Sequence, residues 1–473
     1  MNLKTYHINT IGCQMNVYDS SKMAAMLTDM GYVPVPSEDT ADLVIVNTCT
    51  IRAKAKQKAT SFLGRLAAAK RRNPDMIIGV GGCVAQEEGR RLLGRFPQVD
   101  IVFGTHAVTR LPRLVKRVIS DGERLVDVET TERIDETRRT IRSDMGTEHR
   151  GLTGACTDFV TIMRGCDNYC TYCVVPYVRG RETSRSPEDI LTEIRGLVSA
   201  GVREITLLGQ NVNSYGKKEG LCSFPELLSR VNDIEGLVRI RFTTSHPKDL
   251  SPELVDAFSR LEKLCDHFHL PVQSGSNRIL KRMNRKYTRE TYLEKLHWLR
   301  AACPDIAIST DLIVGFPGET GTDFHQTMAL LEDVSFDSIF AFMYSDRPLA
   351  PARQFGDKIP DPEKNRRLNL LLSAQEEISR QKNAAMCGRT EAVLVEGQSQ
   401  TRAGAMAADN QVQWTGRTSG NKVVHFVVDE ACENGHAIQP GAMADVNITE
   451  GHAHSLRGIA GNVNQHGGCT YAA

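Results

Sequence analysis

Over the first 128 positions, apolar residues come in short runs separated by amphipathic stretches. Thr5 to Ile11 reads as a strand, and 19–30 as a helix capped by Asp19 or Ser20 and ended by Gly31. The pattern repeats with apolar runs at Leu43 to Val46 and Met76 to Val80, followed by helices from Ile51 and from about Gln86. Strands alternating with helices predict a parallel sheet with right-handed crossovers. Between 129 and 150 half of the positions are charged and apolar residues are sparse, so 129–153 reads as a linker.

Six further strands follow, at Asp158 to Met163, Ile205 to Leu208, Val238 to Phe242, His267 to Val272, Ile306 to Val314 and Ile339 to Tyr344. Helices separate them, the first started by Ser186-Pro187 with Asp189 in its first turn and the others near Phe224 to Val231, Pro252 to Leu261, Arg289 to Ala302 and Thr322 to Leu331. Eight βα units close a barrel, so six predict a partial (β/α)6 barrel, open on one side, over 154–382. An amphipathic stretch from Pro362 to Met386 covers it. Short strands at Glu391 to Val395, Val412 to Trp414, Lys422 to Val428 and Ala444 to Ile448 then predict a small β-barrel over 383–450. The Gly- and His-rich stretch 451–473 reads as a disordered tail. The expected class is α/β, with a parallel-sheet domain, a partial barrel and a small all-β domain.

Composition narrows the class without naming a chemistry. At 473 residues, 41% hydrophobic and 24% charged, the chain is that of a soluble protein of two to four domains, and its net charge of +1 leaves nucleic-acid binding to local patches. No apolar run is long enough for a membrane span and the N-terminus has no apolar leader, so the expectation is cytoplasmic, with no membrane partner. Thirteen cysteines, an odd number, then point to thiols and metal rather than to a disulfide framework.

The cysteines fall into two triads. In Arg164 to Gly180, Cys166, Cys170 and Cys173 stand at C-x3-C-x2-C spacing, and no cysteine follows until Cys222. Three thiolates in one loop hold three corners of an iron-sulfur cube and leave the fourth iron open to another ligand. The paired spacing of a zinc site and the fourth Cys-Pro of a ferredoxin are both missing. Cys13, Cys49 and Cys83 each fall two or three residues after one of the first three strands. Carboxyl ends of parallel strands share one sheet edge, so these thiols become neighbours and form a second three-thiol site. Beside it, the stretch from Arg52 to Arg72 carries Arg52, Lys54, Lys56, Lys58, Arg65, Lys70, Arg71 and Arg72 and no acidic residue. Solvated helices usually mix signs, so this run is read as facing an RNA backbone rather than water alone.

These motifs carry a family resemblance that covers nearly the whole chain. The central triad, with Tyr172 before its third Cys, resembles the signature of radical S-adenosylmethionine (SAM) enzymes. TIGCQMNVYDS (10–20), NTCTIRAKAKQK (47–58) and GGCVAQ (81–86) look like the N-terminal domain of radical SAM methylthiotransferases. CQMN and TCTIR resemble the branch acting on isopentenyladenosine in tRNA, while the branches acting on a ribosomal protein or on threonylcarbamoyladenosine remain alternatives. EAVLVEG, GRTSGNKVVHF and ADVNITE resemble the TRAM domain of RNA-modifying enzymes. One departure stands in YSDRPLAPA (344–352), where Asp346, Leu349 and Ala350 replace the family's usual Pro, Gly and Thr.

The resemblance implies a TIM-like radical SAM barrel, two 4Fe-4S clusters and SAM. It implies that the cluster on Cys166, Cys170 and Cys173 cleaves SAM reductively to a 5'-deoxyadenosyl radical. The cluster on Cys13, Cys49 and Cys83 would carry a sulfur, methylated by a second SAM, to carbon 2 of an adenosine beside the anticodon. LLGQN takes the place of the glycine-rich turn at the SAM amino group, and IVGFPGET that of the motif beside the adenine. The expected SAM contacts lie at strand ends: Gly209, Gln210 and Asn211; Thr244, Ser245 and His246; Gln273 and Ser274; Asp311 and Gly315. Trp414, Arg417 and Lys422 are the expected RNA contacts of the last domain, an aromatic to stack on bases and cations for phosphates. Implied partners are tRNA, a reduced electron donor such as flavodoxin or ferredoxin, and sulfur or iron-sulfur donor proteins, with the chain a monomer. A two-cluster electron carrier would need neither the strand-end residues nor the basic run, and a plain RNA-binding module would leave both triads unexplained.

Overall fold

The structure is a computed structural model that describes residues 3–50, 53–131, 156–399, 412–428 and 438–464. The N-terminal domain runs β1 (Thr5–Ile11), α1 (Gln14–Asp29), β2 (Val33–Pro34), β3 (Leu43–Thr48), α2 (Ala53–Arg72), β4 (Ile77–Gly82), α3 (Cys83–Glu88), α4 (Arg90–Arg95), β5 (Ile101–Phe103), α5 (Leu111–Asp121) and β6 (Leu125–Asp127). Its six strands pair in parallel in the order β2-β1-β3-β4-β5-β6. β3 and β4 are buried at every position because helices cover both faces, which is why they read as continuous apolar runs. β2, β5 and β6 span only two or three residues each, too few to show a period, and the sequence pattern passes over them.

One boundary is corrected here. The helix placed at 19–30 begins at Gln14, with Cys13 as its extended N-cap residue and the Asn16 side chain accepting from the Cys13 N–H at 3.2 Å. A thiol is not a customary cap, so the search for Ser or Asp stops too late. Ser20 is instead buried in the helix, hydrogen-bonded to Thr10 and Asn47.

The central domain follows with β7 (Thr157–Thr161), β8 (Met163–Arg164), α6 (Val175–Val178), β9 (Thr183–Ser184), α7 (Pro187–Ser199), β10 (Glu204–Leu208), α8 (Phe224–Asn232), β11 (Arg239–Phe242), α9 (Pro252–Arg260), β12 (His267–His269), α10 (Asn277–Arg282), α11 (Arg289–Ala302), β13 (Ala307–Val314), α12 (Gly321–Val334) and β14 (Ser338–Met343). Two parallel sheets, β11-β10-β7 and β12-β13-β14, are joined by a bridge between Ile240 and Leu264. β7 and β14 do not pair among the described residues, so the six strands make a partial barrel. Alternate residues such as Ile205, Leu207, Ile240, Phe242, Phe268 and Ile308 face the helices and form the core. Helices α7, α8, α9, α11 and α12 each start on a Ser or Thr whose side chain accepts an N–H of the first turn. Those caps fix where each strand-end loop stops.

α13 (Asp361–Ala384) packs on the barrel through Leu371 and leads to the last domain. There β15 (Thr390–Gln398), β16 (Trp414–Arg417), β17 (Val423–Val428), β18 (Met443–Gly451) and β19 (Leu456–Asn464) close in the order β15-β16-β17-β19-β18. β19 corrects the sequence expectation, because 456–464 lies in the stretch assigned to a disordered tail. Its Leu456 and Ala460 are buried in the barrel core, and β19 pairs with both β17 and β18; without it the barrel does not close. The small barrel docks at the amino ends of the central strands. Arg239 donates to the carbonyls of Arg417 and Ala392, both at 2.6 Å, and Arg241 to those of Ser419 and Thr418 at 2.9 and 2.7 Å.

Candidate active site

The central triad lies in the loop that leaves β8. Gly165 has φ +79, and a Cβ there would meet the Arg181 carbonyl oxygen at 2.0 Å, so only glycine lets the loop fold back on itself. The Cys166 N–H donates to the Gly180 carbonyl at 3.3 Å and the Cys173 N–H to that of Cys170 at 3.0 Å. Each sulfur receives a donor: Asn168 Nδ2 reaches Cys166 at 3.3 Å, the Val175 N–H reaches Cys173 at 3.4 Å, and Arg285 Nη1 reaches Cys170 at 3.4 Å. Burial pushes the Cys166 thiol up and that of Cys173 to about 12, so as free groups they are protonated.

Arg285 was not singled out by the sequence, and it decides how this triad is read. Its guanidinium is buried and held by Tyr287 Oη at 2.8 Å, the Pro271 carbonyl at 2.8 Å and Tyr172 Oη at 3.3 Å. Among the described residues it has no carboxylate partner. A buried cation needs an anion, and the Cys170 sulfur against it supplies one as a thiolate. The donor set therefore fits an anionic metal cluster on Cys166, Cys170 and Cys173. Among the described residues no three Cys, His, Asp or Glu side chains converge on one ion, whereas a cube takes one thiolate at each of three separate irons.

The second triad assembles at the sheet edge. Cys13 precedes α1, Cys49 follows β3 directly and Cys83 opens α3 directly after β4. Gly82, at φ +90, would bring a Cβ to 2.4 Å from the Thr48 carbonyl oxygen; glycine there lets β4 turn sharply into Cys83. The Cys13 and Cys49 thiols are side by side, and that contact, with the charge of Arg179, draws Cys13 down to about 6 against the opposing effect of burial. Burial pushes the Cys83 thiol up. Cys83 packs against Val174, Val178 and Ala350, so the two triads meet across α6. The departing loop forms part of this wall: Ala350 is buried there, the Ala352 N–H donates to the Thr171 carbonyl at 2.8 Å, and the charge of Arg347 acts on Glu87 and Cys49. Asp346 takes the Tyr344 hydroxyl at 2.9 Å and Lys358 at 2.6 Å.

At the carboxyl ends of β10 and β11, six buried polar atoms have no hydrogen-bond partner. They are Gln210 Nε2, Asn211 Oδ1, both amide atoms of Asn213, Ser245 Oγ and His246 Nε2. These strand-end atoms make a polar cradle whose donors and acceptors fit a ligand such as the amino-acid end of SAM. Gln210 Oε1 accepts the Gly165 N–H at 2.5 Å, which ties this cradle to the central triad. Gly209 is closely packed, since a Cβ would meet Met163 Cγ at 2.5 Å. Thr244 and Gln273 hold φ values of +70 and +72, strained for residues with side chains and located at strand ends. Asn213 escaped the sequence reading because it lies in a turn beyond the LLGQN stretch.

Two further expected SAM contacts are on β13 and directly after it. Asp311 faces the barrel interior beside His269, at 3.6 Å. Gly315 donates its N–H to Glu319 at 2.6 Å, and a Cβ there would meet Lys364 Cγ at 2.3 Å.

With this geometry in view, comparison with known proteins is decisive. Residues 5–104 match the family described as Uncharacterized protein family UPF0004, and residues 160–331 match the Radical SAM superfamily. The tRNA-2-methylthio-N(6)-dimethylallyladenosine synthase of Desulfosudis oleivorans is 63% identical over 465 residues, 98% of each chain. The synthase of the same name from Geobacter sulfurreducens is 48% identical over 456 residues, 96% of this chain and 97% of that one. The chain belongs to the radical SAM methylthiotransferase family. In fold it is similar to the radical SAM methyltransferase TsrM from Kitasatospora setae, with TM-score 0.57 and 16% identity over 75% of this chain and 74% of that one.

For a methylthiotransferase the cations expected to meet RNA need separate scrutiny, and several are otherwise engaged. Lys56 pairs with Glu87 at 3.3 Å and Glu88 at 2.5 Å, Lys70 with Asp100 at 2.9 Å, and Arg72 with Asp39 at 2.5 Å. The run from Arg52 to Arg72 is therefore not uncompensated; its acids come from other elements. Lys58 is exposed on α2. Arg52 and the side chain of Lys54 lie outside the described residues.

The three expected RNA contacts of the last domain have protein partners of their own. Trp414 is half-buried against the barrel core, Arg417 pairs with Glu396 at 2.8 Å, and Lys422 joins Asn383 at 2.8 Å and Asp337 at 3.2 Å. Lys422 fastens the small barrel to α13 and to the start of β14.

Proposed function

We propose that this chain installs a methylthio group on carbon 2 of N6-dimethylallyladenosine beside the anticodon of tRNA, with a 4Fe-4S cluster on each cysteine triad and SAM as both methyl donor and radical source. One observation carries the reading: two three-thiol sites from different domains meet across α6, each with a buried arginine against one of its sulfurs. A bound cluster with SAM supplies one-electron chemistry able to break an aromatic C–H bond, which acid and base side chains cannot do. The protein's own part is placement. Asn168, the Val175 N–H and Arg285 donate to the sulfurs of the central triad, and the strand-end cradle orients a polar ligand against that loop. α6 then keeps the second triad adjacent, so a sulfur held there stays within the same water-poor junction.

The relatives named for this tRNA nucleoside favour that substrate over a ribosomal protein. In this reading a reduced flavodoxin or ferredoxin supplies electrons and an iron-sulfur donor restores the sulfur. The setting is the cytoplasm, and the chain works as a monomer. Among the described residues no helix is long and apolar enough to cross a membrane.

The test is iron and acid-labile sulfide in anaerobically prepared protein. About eight irons per chain are expected for two such clusters, and about half of that after Cys166, Cys170 and Cys173 are changed to Ala, with SAM cleavage lost. Replacing Cys13, Cys49 and Cys83 keeps cleavage but removes thiomethylated nucleoside from tRNA digests. Full iron in the first variant, or an unchanged nucleoside profile in a deletion strain, overturns the proposal.

A further inference from the structure

Arg179 lies one residue beyond α6, and its side chain crosses from the radical SAM domain into the N-terminal one. It is almost fully buried, with 5% side-chain exposure, and its Nη2 pairs with Asp19 Oδ2 at 3.3 Å. Asp19 is on α1, the helix whose N-cap residue is Cys13. The same guanidinium lies against Cys83, and its charge also reaches Cys13. Its backbone is fixed as well: the Arg179 N–H donates to the Val175 carbonyl at 2.8 Å, and the carbonyl of the next residue, Gly180, holds the Cys166 N–H at 3.3 Å. A stretch of two residues therefore touches both triads.

The two triads are not treated alike. Arg285 lies at Cys170 and Arg179 at Cys83, while the charge of Arg347 also acts on Cys49 and that of Glu182 on Cys166. Arg285 donates to hydroxyl and carbonyl oxygens as well as to Cys170, with no carboxylate partner among the described residues. The charge of Arg179 is opposed by Asp19 at close range. Net charge and donors near the sulfurs are the main protein levers on the potential of an iron-sulfur cluster, because reduction adds a negative charge that a nearby cation stabilises.

We infer that Arg179 and Asp19 form a positioning pair that sets the potential of the Cys13/Cys49/Cys83 cluster from the neighbouring domain, Arg179 raising it and Asp19 restraining the rise. This rests on the cluster assignment made above.

The experiment uses the full chain with Cys166, Cys170 and Cys173 changed to Ala, so that only the N-terminal cluster contributes to the signal. Its midpoint potential and electron paramagnetic resonance spectrum are compared with those of added Arg179→Gln, Arg179→Lys and Asp19→Asn. The expected result is a downward shift for Arg179→Gln, an upward shift for Asp19→Asn, and a return most of the way with Arg179→Lys. Opposite signs are the mark of charge; a loosened domain junction moves both variants the same way. Unchanged potentials, or shifts of one sign, overturn the inference. If Arg179→Gln loses its iron, Asp19→Asn decides alone, and no upward shift there overturns it. Absence of iron from the starting triple-Ala protein refutes the cluster assignment itself, a separate outcome.

Discussion

Changing Arg241 to Met tests what holds the small C-terminal barrel to the radical SAM domain. Arg241 Nε stands 2.9 Å from Glu204 Oε2, an ion contact in which both side chains are nearly buried, with 7% and 6% exposure. Its other nitrogens donate to the Ser419 and Thr418 carbonyls. Methionine keeps much of the apolar stem but strands a carboxylate and two carbonyls at the junction. Removing one partner of a buried pair costs about 3 to 5 kcal/mol, far more than the pair is worth against an apolar replacement of both. The chain's two tryptophans are Trp298 and Trp414, so a Trp298→Phe background lets Trp414 report on the barrel alone. At a urea slope of about 2 kcal/mol per M, the midpoint of that transition falls by about 1.5 to 2.5 M. Adding Glu204→Gln recovers part of the loss, because the stranded charge is gone. A fall of under about 0.5 M in Arg241→Met, or no recovery in the double variant, refutes the reasoning. Reductive SAM cleavage stays, since this junction is at the amino ends of the strands and the triad at the opposite ends.

Lys58→Gln flattens the dependence of log tRNA affinity on log salt by about one unit, the loss of one phosphate contact, while Lys56→Gln leaves it nearly unchanged because Glu87 and Glu88 already occupy Lys56; equal slopes for the two variants dismiss α2 as an RNA face. Burial by itself raises Asp337, but Lys382 and Lys422 outweigh it and hold its folded pKa below the ordinary 3.8. The stability it contributes is whole above that value and is lost as pH falls through the folded pKa, so the barrel's urea midpoint drops on acidification below about pH 4 and drops less in Asp337→Asn. Gly315→Ala places a side chain at φ +69 against Lys364 and destabilises by about 1 to 2 kcal/mol, read as a lower urea midpoint. An unaffected midpoint there returns Gly315 to the set of residues kept free for ligand contact.

What the chain by itself determined is whatever depends on burial along one element. β3 and β4 read as apolar runs because both their faces are covered, and the alternation of strands with helices carries the parallel order. The thiols of the N-terminal triad were visible because a residue just past a parallel strand has only one sheet edge to occupy, and those of the central triad because three thiols in one short loop cannot separate. Tertiary structure decided everything that depends on which elements meet. The acids that neutralise Lys56, Lys70 and Arg72 stand far off in sequence, so no local count of charge could find them. β19 looks like a polar tail until β17 and β18 flank it, because a strand that closes a barrel draws half its definition from its neighbours. Arg179 and Arg285 carry no sequence signal of their own; a guanidinium becomes informative only when folding buries it beside sulfur. Position along a chain records how each residue meets water, whereas compensation of charge is a property of pairs, and those pairs exist only once distant elements have packed.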